Sequence, residues 1–180
     1  MKTNKAFLEG QRHFLRGEYA RSIMGFGNAL ETGMDATKVH VPLGLAYFKN
    51  ENFAAAAEEF SRALELDPMN DYLLFLRGMT WFNSADLDKA LDDFNLALRF
   101  NPRREMSLIA RSLVLRSMHR EREAEDDLRS ALGTGGVEVE LFIREYCLSP
   151  GLQALARTLF DVADADWGIE LRTGGLESTH

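Results

Sequence analysis

Gly10, Gly44 and Gly78 stand 34 residues apart, and Ser112, another small side chain, falls at the next step. The same interval joins Ser22, Ala56, Ala90 and Ala124, and it joins Phe26, Phe60, Phe94 and Leu128. Ala29, Ala63, Ala97 and Ala131 keep it, as do Leu30, Leu64, Leu98 and Leu132. Five columns sharing one period over four copies define an internal repeat. A period between about 20 and 50 residues is the mark of one supersecondary unit stacked on itself, because a single unit cannot bury its apolar face alone. The 180-residue chain therefore divides into 3–36, 37–70, 71–104 and 105–138.

Each copy reads as two helices with a short break. In the second, Val41, Leu45 and Phe48 precede Ala56, Phe60, Ala63 and Leu64, the spacing of amphipathic helices with one apolar stripe. The pair predicts a helical hairpin. Asp67-Pro68 and Asn101-Pro102 close the second and third copies, since proline disfavours helix in the residue before it and supplies no N–H. Small residues at fixed columns mark places where two helices cross closely, with the aromatic column filling the space beside them. Pro42 falls where the first helix of its copy should already be running. The expected escape is a late start, with residues 36–41 extended or irregular and Pro42 in the first helical turn.

Gly44, Tyr47, Ala56, Phe60, Ala63 and Pro68 in the second copy, with Gly78, Trp81, Ala90, Phe94, Ala97 and Pro102 in the third, resemble the tetratricopeptide repeat. The first copy keeps Gly10, Tyr19, Phe26 and Ala29 but has Met34 in place of the closing proline, and the fourth has Ser112 and Gly136 in place of glycine and proline. The resemblance implies an all-α fold, a right-handed superhelical stack of helical hairpins. It also implies that positions two, five, nine and twelve of each copy line a concave groove for a partner peptide. Those positions are Asn4, Phe7, Gln11 and Phe14, then Lys38, Val41, Leu45 and Phe48, then Tyr72, Phe75, Met79 and Phe82, then Met106, Ile109, Leu113 and Arg116. Phe7, Phe14, Val41, Leu45, Phe48, Tyr72, Phe75, Met79, Phe82, Met106, Ile109 and Leu113 form the expected binding groove. The family's clamp for a terminal carboxylate needs Lys and Asn at positions five and nine, and Phe7, Gln11, Val41 and Leu45 cannot supply it. A buried carboxylate there would lack paired donors.

After the repeats, Gly133-Thr134-Gly135-Gly136 breaks the helix, and Val139, Phe142, Ile143, Tyr146 and Cys147 resume helical spacing. Ser149-Pro150 reads as a cap and first-turn proline for a further helix bearing Leu152, Leu155, Leu159 and Phe160. Residues 139–163 are thus the expected capping helix pair, hiding the last apolar face from water, and 164–180 a tail.

Charge and composition narrow the function classes. Lys and Arg number 21 against 28 Asp and Glu, a net charge of −7, and that field repels a phosphate backbone, so no nucleic-acid partner is expected. The single cysteine, Cys147, forms no intramolecular disulfide, and the amino end offers no apolar run for a signal or a membrane span. A soluble, reducing, cytoplasmic setting is expected. His13, His40 and His119 fall in three different copies, without metal-site spacing, and no glycine-rich loop follows a strand. No catalytic residue, metal or cofactor is expected. Glu58-Glu59, Asp92-Asp93 and Asp126-Asp127 recur every 34 residues and read as a solvated acidic face, on the convex side in the resembled fold. The arginines gathered from Arg103 to Arg129 are interleaved with Glu121, Glu123 and Glu125, as helical ion pairing requires.

The expectation is a non-enzymatic interaction module, adaptor or chaperone-like, taking an apolar peptide or amphipathic helix of a protein partner; oligomerisation is left open. The groove is similar to that of repeat chaperones that shield secretion-apparatus subunits. If the twelve groove residues yield about 400 Å² together, the gross return is on the order of 10 kcal/mol, enough for micromolar binding. The alternative is a scaffold whose groove is covered by its own C-terminal helix or tail and which binds partners elsewhere.

Overall fold

The computed structural model describes residues 4–132, and every regular element among them is an α-helix. In order these are α1 (Lys5–Leu15), α2 (Tyr19–Glu31), α3 (Ala36–Lys49), α4 (Phe53–Leu66), α5 (Asp71–Asn83), α6 (Leu87–Phe100), α7 (Glu105–Ser117) and α8 (Glu121–Leu132). They belong to two compact units, residues 4–68 with α1 to α4 and residues 69–132 with α5 to α8. In the first unit each helix packs on the next and α1 also touches α3; in the second the same holds for α5 to α8, with α5 touching α7. Each unit is two helical hairpins packed side by side. The expected capping pair 139–163 and the tail 164–180 lie outside the described residues.

The hairpin turns repeat as faithfully as the helices. Gly17, Glu51, Ala85 and His119, again 34 apart, all have positive φ, between 59° and 73°. At Gly17 the following Glu18 N–H donates to the His13 carbonyl at 2.9 Å, and Asn52, Asp86 and Arg120 donate to Tyr47, Trp81 and Leu115 at the same distance. This left-handed cap satisfies carbonyls that the helix end would orphan. Only the first copy places glycine there. Between hairpins the stops differ. Asp67 and Asn101 are extended, with φ of −139° and −135°, as the residue before proline should be. The first copy, lacking proline, ends α2 on Gly33 at φ 79°, with Met34 N–H donating to the Ala29 carbonyl at 2.9 Å.

The glycine column is set by the aromatic column. A Cβ on Gly10 would come within 2.8 Å of Phe26, and one on Gly44 or Gly78 within 2.7 Å of Phe60 or Phe94. All three rings are fully buried, each worth about 1.5–3 kcal/mol of transfer free energy. Where the fourth copy carries Ser112, the ring is replaced by the smaller Leu128, also buried.

Pro42 corrects one expectation. Helix α3 begins at Ala36, capped by the Asp35 side chain, which accepts from Thr37 N–H at 3.1 Å, so the proline lies buried in the helix interior rather than in its first turn. The Lys38 carbonyl loses its helical donor, a local cost of about 3 kcal/mol. Burial of Val39, Leu43, Leu45 and Ala46 on the same helix offsets it.

Candidate interaction face

The twelve expected groove residues are of two kinds in the structure. Phe14, Leu45, Phe48, Phe75, Met79 and Leu113 are buried, while Phe7, Val41, Tyr72, Phe82, Met106 and Ile109 are half-buried. The buried ones hold the hairpins together. The Phe75 ring lies 6.1 Å from Phe94 and stacks on Tyr72 at 6.4 Å, and Phe14 meets Tyr19 edge-on at 5.6 Å. Phe48 meets Phe53 in the same way at 5.4 Å. Such ring pairs add about 0.5–1.5 kcal/mol beyond their burial. With Leu45, Phe75 and Met79 at 0 % exposure, these side chains have no surface to yield to a partner, and the 400 Å² expectation is too large.

In the second unit, Tyr72 and Phe82 on α5 and Met106 and Ile109 on α7 keep accessible surface on two helices that touch. The Arg104 guanidinium lies over the Tyr72 ring at 5.5 Å and is paired with Asp71, which also accepts from Asn101 Nδ2 at 3.1 Å. Arg116, in the last turn of α7, is half-buried.

The acidic doublets correct a second expectation. Glu58, Asp92 and Asp126 are exposed, but Glu59, Asp93 and Asp127 are buried. Arg77 donates to Asp93 through Nε at 2.8 Å and Nη2 at 2.6 Å, and Arg111 to Asp127 at 2.7 and 2.6 Å. Glu59 is met by His40 Nδ1 and by Arg62 Nη1, both at 2.7 Å. Hairpin packing takes one carboxylate of each doublet out of water, so each needs a fixed cation. Sequence periodicity carried a signal: Arg77 and Asp93, like Arg111 and Asp127, are 16 residues apart in consecutive copies. Other arginines divide. Arg120, just before α8, pairs with Glu123 and Arg129 pairs with Glu125, but Arg104 reaches back to Asp71 on α5.

His13 Nδ1 lies 2.5 Å from a Glu18 carboxylate oxygen, a single pair rather than a metal site. Among the described residues no group of three or more His, Cys, Asp or Glu is placed to hold a metal, and no helix is long and apolar enough to cross a membrane. Cys147 lies outside them.

Stacked helix pairs with a glycine-on-ring crossing define a repeat scaffold of the kind that presents surfaces to other proteins. Residues 41–105 match the tetratricopeptide repeat family. Among solved structures, MamA of AMB-1 is similar at 26 % identity, with 76 % of each chain covered and a TM-score of 0.63. A second MamA crystal structure has a TM-score of 0.67 at 19 % identity, covering 97 % of this chain and 95 % of that one. YrrB, described as a TPR protein with an unusual peptide-binding site, has a TM-score of 0.66 at 22 % identity, covering 76 % of this chain and 71 % of its own. At those identities the last two speak for the fold alone. No curated protein matches by sequence. Residues 41–105 thus carry tetratricopeptide repeats, and the described residues form the all-α helical-hairpin fold of that family, whose members are in general interaction modules rather than enzymes.

Proposed function

We propose that this chain, organised as four repeats over 3–138, is a non-enzymatic module that holds an apolar peptide or amphipathic helix of a protein partner, as a cytoplasmic adaptor or chaperone would. The observation that supports this reading is the set of half-buried apolar side chains on adjoining helices of the second unit, Tyr72, Phe82, Met106 and Ile109. YrrB, of the same fold, has a peptide-binding site. If each of the four gives up on the order of 40 Å², the gross return is about 4 kcal/mol. Apolar contact alone is then about millimolar before ordering costs, so a tighter partner must add polar anchors.

The test is a panel of fluorescent amphipathic helical peptides with a Leu/Phe stripe and a glutamine face, titrated by anisotropy into the full chain and into a Tyr72→Glu, Ile109→Glu variant. Binding lost in the variant with unchanged far-ultraviolet helicity supports the reading. Equal binding by both proteins overturns it.

A further inference from the structure

We propose that the face of α5 and α7 selects segments that are both apolar and acidic, with a carboxylate of the partner seated on Arg116; this rests on the peptide-binding reading above. The twelfth-position column runs Phe14, Phe48, Phe82 and then Arg116, so in one copy an aromatic is exchanged for a cation. The other half-buried arginines have carboxylates: Arg77 has Asp93, Arg104 has Asp71, Arg111 has Asp127 and Arg120 has Glu123. Among the described residues, Arg116 is the half-buried arginine for which no carboxylate lies within ion-pair distance. Glu121, the nearest acidic residue along the chain, is exposed at the start of α8.

A guanidinium partly withdrawn from water and left without an anion is a recognition element, because its planar donors accept a carboxylate in a two-pronged arrangement that lysine cannot match. The net charge of −7 does not prevent this. At physiological salt charges beyond about 8 Å are screened, so the local cation decides. Arg116 stands seven residues after Ile109, two helical turns on one side of α7, or about 10 Å at 1.5 Å per residue. The partner therefore carries a carboxylate about 10 Å from the apolar side chain that rests on Ile109. That is seven residues away in a helix and about three in an extended segment.

Three peptides with one Leu/Phe stripe, carrying Glu, Gln or Lys seven residues from the central Leu, are titrated into the full chain at 50 and 500 mM NaCl. The Glu peptide is expected to bind at least tenfold tighter than the Lys peptide at low salt, with the gap shrinking at high salt. Arg116→Glu should invert the order, and Arg116→Lys should keep it with a smaller ratio. Thermal melts of each variant separate loss of fold from loss of recognition. Equal affinities for the Glu and Lys peptides, or a ratio unchanged in Arg116→Glu, overturn the inference while leaving the binding module intact. Failure of all three peptides to bind overturns the module reading itself.

Discussion

In the second unit, Arg77 and Arg111 reach from α5 and α7 to Asp93 and Asp127, two ion pairs with nearly superimposable geometry. The first unit has Glu9 and Leu43 at the arginine positions and Gly25 and Glu59 at the acidic ones. Each hairpin there has its own solution. Glu59 keeps its carboxylate and recruits His40, one turn before Leu43, together with Arg62 on its own helix. The α1–α2 hairpin drops the charge altogether: a Cβ on Gly25 would lie 2.6 Å from the Gly10 backbone, so the two helices touch main chain to main chain. Ser22 Oγ then donates to the Gly10 carbonyl at 2.9 Å, where the other copies have alanine. The lesson is that the buried acid and its cation are one unit: a copy keeps both, finds a substitute, or closes the gap.

The largest effect should come from breaking that unit. Arg111→Leu copies the residue at position 43 but leaves Asp127, 6 % exposed, without its cation; removing one partner of a buried pair costs about 3–5 kcal/mol. Adding Asp127→Ala should recover most of the loss. The urea midpoint at constant slope reports both, and a single-variant cost no larger than the roughly 0–1 kcal/mol of a surface pair would mean the site is effectively solvated. Gly25→Ala tests the other solution. Its methyl has nowhere to go but into backbone, so a loss of about 1–3 kcal/mol is expected. Gly27→Ala on the same helix, where a Cβ meets nothing within 4 Å, should instead gain about 0.5–1 kcal/mol from helix propensity. Equal effects of the two would deny the close crossing.

The same contrast separates what is legible in the sequence from what is not. Columns of Gly10, Phe26 and Ala29 announced the hairpins because each is a contact that must recur in every copy. Pro42 did not follow, since a strong cap at Asp35 and a buried face outweigh one lost hydrogen bond. The turns were hidden because glycine marks the left-handed position only at Gly17, while Glu51, Ala85 and His119 take it under tertiary constraint. Amphipathic reasoning sends every charge outward, and so missed that Asp93 and Asp127 turn inward to arginines on the partner helix. The face was half legible for a related reason: Phe75 and Tyr72 share one side of α5, but Phe75, 6.1 Å from the Phe94 ring, is fully buried while Tyr72 is only half-buried.

The turns allow a finer contrast between units. Ala85 in the second holds φ 63° where the first has Gly17 at 73°, and a Cβ in that region costs about 1 kcal/mol or more. Ala85→Gly should therefore stabilise, by about 1 kcal/mol less the entropy that glycine adds to the unfolded chain. Gly17→Ala should destabilise to a similar degree, although a Cβ there meets nothing within 4 Å. A melt in which Ala85→Gly lowers Tm would place the strain elsewhere.

The smallest effect belongs to the water-accessible pairs at the start of the second helices, where Glu18–Arg21 and Asp86–Lys89 have their order reversed in Arg120–Glu123. The hydrogen bond from Arg120 holds the Glu123 carboxyl below its ordinary value of 4.5, outweighing desolvation, with the charges of Arg120 and Arg111 acting in the same direction. A carboxyl depressed in the folded state stabilises above its unfolded pKa and loses that contribution as pH falls through the folded one. Wild type should therefore melt slightly above Glu123→Gln at pH 7, with the gap narrowing once the pH drops below 4.5 and closing under stronger acid. Salt should shrink it as well, since both partners face water. A gap that stays constant from pH 7 to acid would show that the glutamine disturbs the helix start itself and that the ion pair contributes nothing there.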